Sequence, residues 1–161
     1  MGWAALSLRK MTLKQRINNL EQRLVNISQE LQSMYDSSSY SQQALGVEKT
    51  QALANLQTTF SNNSATLAST YSGSTSAGDL AEYNNQLQQQ QLSLMYNQMI
   101  QNSLFSAKEQ AMQEAINQSE TQLQLEQEQV ETQLEAARAE YQSLDQAVSQ
   151  DIQDGAISLV S

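Results

Sequence analysis

Apolar residues near the start of the chain fall at alternating steps of four and three: Leu13, Ile17, Leu20, Leu24, Ile27, Leu31 and Met34. That spacing is a heptad seam, a narrow stripe on a helix that faces another helix. Leu6 and Trp3 extend it upstream. A second seam runs through Val130, Leu134, Ala137, Tyr141, Leu144 and Val148, with Leu123 one heptad before it. Between the seams the pattern is weaker. It predicts a first helix over 3–35 and a serine-rich break at 36–41. A second helix is expected over 42–67, with Leu45, Ala52, Leu56 and Phe60 on its sparse face and Gly46 against it. Residues 69–78, rich in Ser and Gly, read as a loop. Asp79 reads as an N-cap, with Glu82 completing a capping box before a helix over 80–102. The apolar face of that helix holds Tyr83, Leu87, Leu94, Met95 and Met99. Ser106 and Glu109 offer another box, a break or a passenger in a continuous helix. Gly155 reads as a stop after 106–153. The resulting division is 1–35, 36–79, 80–154 and an apolar tail at 155–161.

The first seam cannot stand alone, because burying its side chains falls short of the entropy lost in ordering the helix. It needs a partner stripe. An antiparallel register with the second seam puts Leu6 with Val148, Leu13 with Tyr141 and Ile17 with Ala137. It also puts Leu20 with Leu134, Leu24 with Val130 and Leu31 with Leu123. The same register brings Lys14 near Asp145, Glu21 near Arg138 and Arg16 near Glu140, three opposite-sign pairs that specify alignment. Four layers or pairs dissent: Ile27 meets Gln127, Met34 meets Glu120, Lys10 meets Leu144, and Glu30 meets Glu126. A parallel self-coil of either helix is the competing arrangement. The fold class expected is all-α, long helices forming an antiparallel coiled-coil hairpin or helical bundle with a polar middle segment.

Composition sharpens this picture. The 161 residues include no proline, and apolar residues are 39% of the chain. Without proline, long helices are uninterrupted; with so little apolar material, thin helical layers are favoured over a thick globule. There is no cysteine and no histidine. Thiolate chemistry and the commonest metal ligand and general base are thereby excluded. No Gly-rich phosphate loop or calcium-loop spacing occurs, and the carboxylates read as solvated helix faces. No catalytic, cofactor or metal site and no small-molecule substrate are expected. The net charge of -9 is uneven. Arg9, Lys10, Lys14, Arg16 and Arg23 crowd the first seam, while acids dominate from Glu109 onward. The two ends are electrostatic complements rather than a nucleic-acid site, since the basic stretch is short and lacks interleaved aromatics. No run is long enough to span a bilayer. The order of the opening, apolar before basic, is the reverse of a signal peptide. The chain is expected to stay cytoplasmic or to leave by a route that reads an uncleaved N-terminus.

Paired helical ends, a polar middle, the lack of cysteine and the closing Ile157-Ser158-Leu159-Val160 together resemble flagellins and the secreted filament proteins of type III systems. The resemblance covers both ends, about half the chain, at the level of pattern. It implies an extracellular or cell-surface subunit that assembles through its terminal helices. The expected function is thus a non-enzymatic structural protein forming a homo-oligomer or filament. A coiled-coil adaptor or secretion-associated protein for a different chain, and a phage or virion component, are the alternatives.

Overall fold

A computed structural model describes residues 2–160, and the side chains of residues 2–158. The chain is an all-α hairpin of two helices, α1 (Gly2–Thr70) and α2 (Ala77–Val160). The break expected at 36–41 is absent, because α1 runs through it. Serine is only a moderate helix former, not a breaker. Moreover, Ser38 and Ser41 are half-buried and continue the four-three phase from Met34 to Leu45. Helix α2 likewise passes through Ser106 and Glu109 and through Gly155, so neither signal ends a helix. Nothing lies within 4 Å of where a Cβ on Gly155 would sit, and its conformation is helical rather than left-handed. Residues 155–160 are therefore helix, with Ile157 exposed. The side chains of Leu159 and Val160, also expected in the apolar tail, lie outside the described residues.

Contacts divide the chain into two units: Met1–Tyr35 with Asn117–Ser161, and Asp36–Ile116. In the first, the terminal unit, the helices run antiparallel. Leu13, Ala137 and Leu144 form a buried cluster, and Leu6, Ile17, Leu20 and Tyr141 pack against it. Ile27, Val130 and Leu134 are buried as well. The four-three phase holds along both helices of this unit from Leu13 to Met34 and from Leu123 to Val148.

In the second, the middle unit, the helices are again antiparallel, and the chain reverses at residues 71–76. Tyr71 N–H donates to the Leu67 carbonyl at 3.2 Å and Ser74 N–H to the Tyr71 carbonyl at 3.2 Å. Gly73 has a φ of 88°, a left-handed conformation that suits glycine. Leu80 N–H donates to the Ser76 carbonyl at 3.1 Å, which makes Ser76 the N-cap of α2. Asp79 is thus inside the first turn rather than at the cap. There its carboxylate accepts the Ser74 hydroxyl, and its charge complements the positive helix end. Leu67 and Phe105 are the buried apolar residues of the unit. Elsewhere its inward positions drift from the heptad. Ala52, Leu56, Phe60 and Ser64 follow steps of four, as do Gln90, Leu94 and Gln98. Successive fours are a stutter, which locally unwinds a left-handed coil.

Candidate helix-helix interface

The interface in the terminal unit is built by seam residues whose helical spacing carries them to one side of α1 and one side of α2. Leu13, Ile27, Val130, Leu134, Ala137 and Leu144 are buried. Leu6, Ile17, Leu20, Leu24, Leu31 and Met34 are half-buried, as are Leu123, Tyr141 and Val148. In this chain the two seams face each other within one molecule. Ile27 is the most deeply buried side chain, at 0% exposure, although its expected partner is Gln127. Gln127 is half-buried and donates its amide to Glu131 Oε1 at 2.9 Å, so its polar end is satisfied along its own helix.

Charged side chains border the seam, and here the structure corrects part of the expected pairing. Glu21 and Arg138 pair at 2.6 Å. Glu140 is held by Arg9 at 2.5 Å rather than by Arg16. Asp145 is held by Lys10 rather than by Lys14. Among the described residues Lys14 and Arg16 are exposed and have no ion-pair partner. The offset that joins Arg9 to Glu140 also joins Arg23 to Glu126, and it would carry Arg16 to the uncharged Gln133. Asp145 goes to Lys10 because Lys10 occupies a seam position. Its ammonium lies 5.3 Å from the centre of the Tyr141 ring and meets the carboxylate beyond. The hydrogen bond to Asp145 holds the Lys10 ammonium above the ordinary lysine range.

The two dissenting acidic contacts are also resolved. Arg23 sits between Glu30 and Glu126, with Nη1 at 2.9 Å from the first and Nη2 at 2.6 Å from the second, so their repulsion is cancelled. Glu120, expected beside Met34, accepts the Tyr35 hydroxyl and the Gln124 amide. That hydrogen bond, with some burial, raises the Tyr35 phenol above its usual range. Each exposed pair contributes about 0–1 kcal/mol, so together they select an alignment more than they hold the fold.

The middle unit is lined differently. Ser38, Ser41, Ser64, Gln86, Gln90, Gln98 and Gln101 occupy half-buried, inward positions. Ser64 donates to Gln90 Oε1 at 3.3 Å, and Gln86 donates to the Tyr71 hydroxyl at 3.2 Å. Tyr71 and Tyr83 meet edge to face at 5.8 Å. Burial, then the Glu82 carboxylate, raises the Tyr71 phenol. Lys108 bridges to Glu48 at 2.8 Å and lies 5.0 Å from the Phe105 ring centre. On α2, Leu94 turns inward, whereas Met95 and Met99, expected on the same face, are exposed. Met95 lies about 100° round the helix from the inward-facing Leu94, and Met99 stands one turn beyond Met95, so both fall outside the narrow seam. With Leu92, Tyr96, Ile100 and Leu104, Met95 and Met99 form an outward apolar patch.

Among the described residues no group of three acidic side chains is placed to hold a metal ion. Among them, too, no helix is long and apolar enough to cross a membrane. No protein-family model, curated protein or solved structure matches this chain.

Proposed function

We propose that this chain is a non-enzymatic structural protein, a helical-hairpin subunit that self-associates into a homo-oligomer or an extracellular filament. One observation carries the proposal. The hairpin turns its seams inward and still leaves large apolar side chains on the outside of both helices. Tyr40 and Val47 on α1, and Leu92, Met95, Tyr96 and Met99 on α2, are all more than half exposed. An apolar patch beyond a few hundred Å² marks an interaction surface in a soluble protein. The flagellin-like plan of the chain supports the extracellular or cell-surface placement.

Sedimentation velocity across a hundredfold concentration range, with negative-stain microscopy of the same samples, tests the proposal. Oligomers or filaments that grow with concentration are expected. A compact monomer throughout would contradict self-assembly. A monomer that leaves its native source in fixed proportion to an unlike chain would establish the adaptor reading instead.

A further inference from the structure

Resting on the self-assembly reading, we infer that the α2 face built by Leu92, Met95, Tyr96, Met99, Ile100 and Leu104 docks on the same face of a second copy. The six residues are 45–65% exposed. Leu92, Tyr96, Ile100 and Leu104 form one row at steps of four, and Met95 and Met99 form the row beside it. Rows at that spacing are ridges, and two such ridge sets interdigitate when the helices cross at about -50°. Because the face is the same on both copies, the contact closes about a two-fold axis near the middle of the patch. It covers about 18 Å of helix at 1.5 Å per residue.

Charge selects the occupant. The chain carries a net charge of -9, so copies repel over most of their surface. No Asp, Glu, Lys or Arg occurs between Lys49 and Asp79, or between Glu82 and Lys108. The patch lies inside the second of these runs. It is a place where two acidic copies approach without like charges meeting. The same absence disfavours an anionic lipid surface or a nucleic acid, which basic residues beside the patch would recognise. The exposed rim is Gln88, Gln89 and Ser103, uncharged groups that hydrogen-bond across a contact between identical copies. At these exposures the six residues present on the order of 700 Å², short of the ~800 Å² each partner gives a standard interface, so the contact draws on the uncharged rim as well. Met95 and Met99 are flexible and adapt to a self-complementary surface, and Tyr96 offers a ring with a polar tip.

The test uses the full chain. The double substitution Met95→Lys with Met99→Lys lies on exposed positions, so circular dichroism should show unchanged helicity. Sedimentation should show self-association weakened by at least about 30-fold, the loss expected at an interface hot spot. As a second measure, Met99→Cys introduces a single thiol into a chain without cysteine. Mild oxidation should give covalent dimers from assembled protein. Assembly that survives the double substitution unchanged, or Met99→Cys that stays monomeric on oxidation, would overturn this face while leaving self-assembly standing. A parent chain that is monomeric at every concentration would overturn both. Binding to phosphatidylcholine vesicles that the double substitution abolishes, without any self-association, would assign the patch to lipid and also overturn the inference.

Discussion

The terminal and middle units both pair α1 with α2 in antiparallel sense, and both expose some large apolar side chains, but they line their inward faces differently. In the terminal unit Leu, Ile and Val make up most of the seam, and Ile27 is sealed at 0% exposure. In the middle unit Ser and Gln occupy much of the inward face, while Tyr40, Val47, Leu92, Met95 and Tyr96 point outward. The difference lies in how each seam is filled rather than in how its helices run. An apolar seam with bordering charge pairs fixes which residues pair. The middle unit has a seam lined in part by Ser and Gln, and an exposed apolar patch inside its uncharged run from 83 to 107, the surface proposed for association.

Substitutions that exchange the characters of the two units should expose this difference most strongly. Ile27→Asp puts a charge into a dry layer and should cost at least about 3–5 kcal/mol, enough to unfold the terminal unit. Thermal or urea melts monitored by circular dichroism would read the loss; a shift no larger than that of a surface substitution would contradict the sealed seam. The reverse exchange, Ser41→Leu in the middle unit, should stabilise by about 1 kcal/mol, because it adds apolar burial at a position already turned inward. No gain in the same melt would mean that the wet seam lacks room for an apolar side chain.

Smaller effects follow from the backbone and from protons. Gly46 lies in the interior of α1, and a Cβ there would meet nothing within 4 Å. Gly46→Ala should therefore raise stability by about 0.5–1 kcal/mol. Lys10, Tyr35 and Tyr71 all have pKa values raised in the folded chain. A raised value binds the proton more tightly when folded, so the stabilisation is fully present below the unfolded pKa. It is lost as pH climbs through the folded values, above about pH 10 for these groups. Melting temperature should fall slightly over that range, and Tyr35→Phe should flatten the fall. An unchanged slope would remove Tyr35 from the alkaline response.

The seams were legible in the sequence because an apolar repeat of 3.5 residues has one stable use, facing another helix. The antiparallel sense of the pairing was legible too, but of the three ion pairs the alignment calls for, only that of Glu21 with Arg138 stands in the structure. Lys10 was obscured because a lysine opposite Leu144 reads as a defect. Only the Tyr141 ring and Asp145 beside it show how its stem and ammonium divide between seam and solvent. The serines at 36–41 were misleading for a related reason: they resemble a loop by composition, yet Ser38 and Ser41 keep helical phase with Met34 and Leu45. Gly155 and Asp79 carry end signals that local propensity alone cannot rank against continued helix. The outward patch was half visible: Met95 and Met99 read as apolar face, and Ile100, Leu104 and Phe105 follow them closely in the sequence. Of these, Phe105 turns inward and is 4% exposed, which the sequence alone does not separate from its outward neighbours.

Amide hydrogen exchange on the Met95→Lys, Met99→Lys chain, at dilution, tests the contrast between the units most directly. Residues 13–31 and 123–144 should exchange together and more slowly than residues 38–64 and 86–101, whose inward faces carry Ser and Gln. Equal protection in the two sets, or slower exchange in the second, would contradict the assignment of the apolar seam as the element that closes the hairpin.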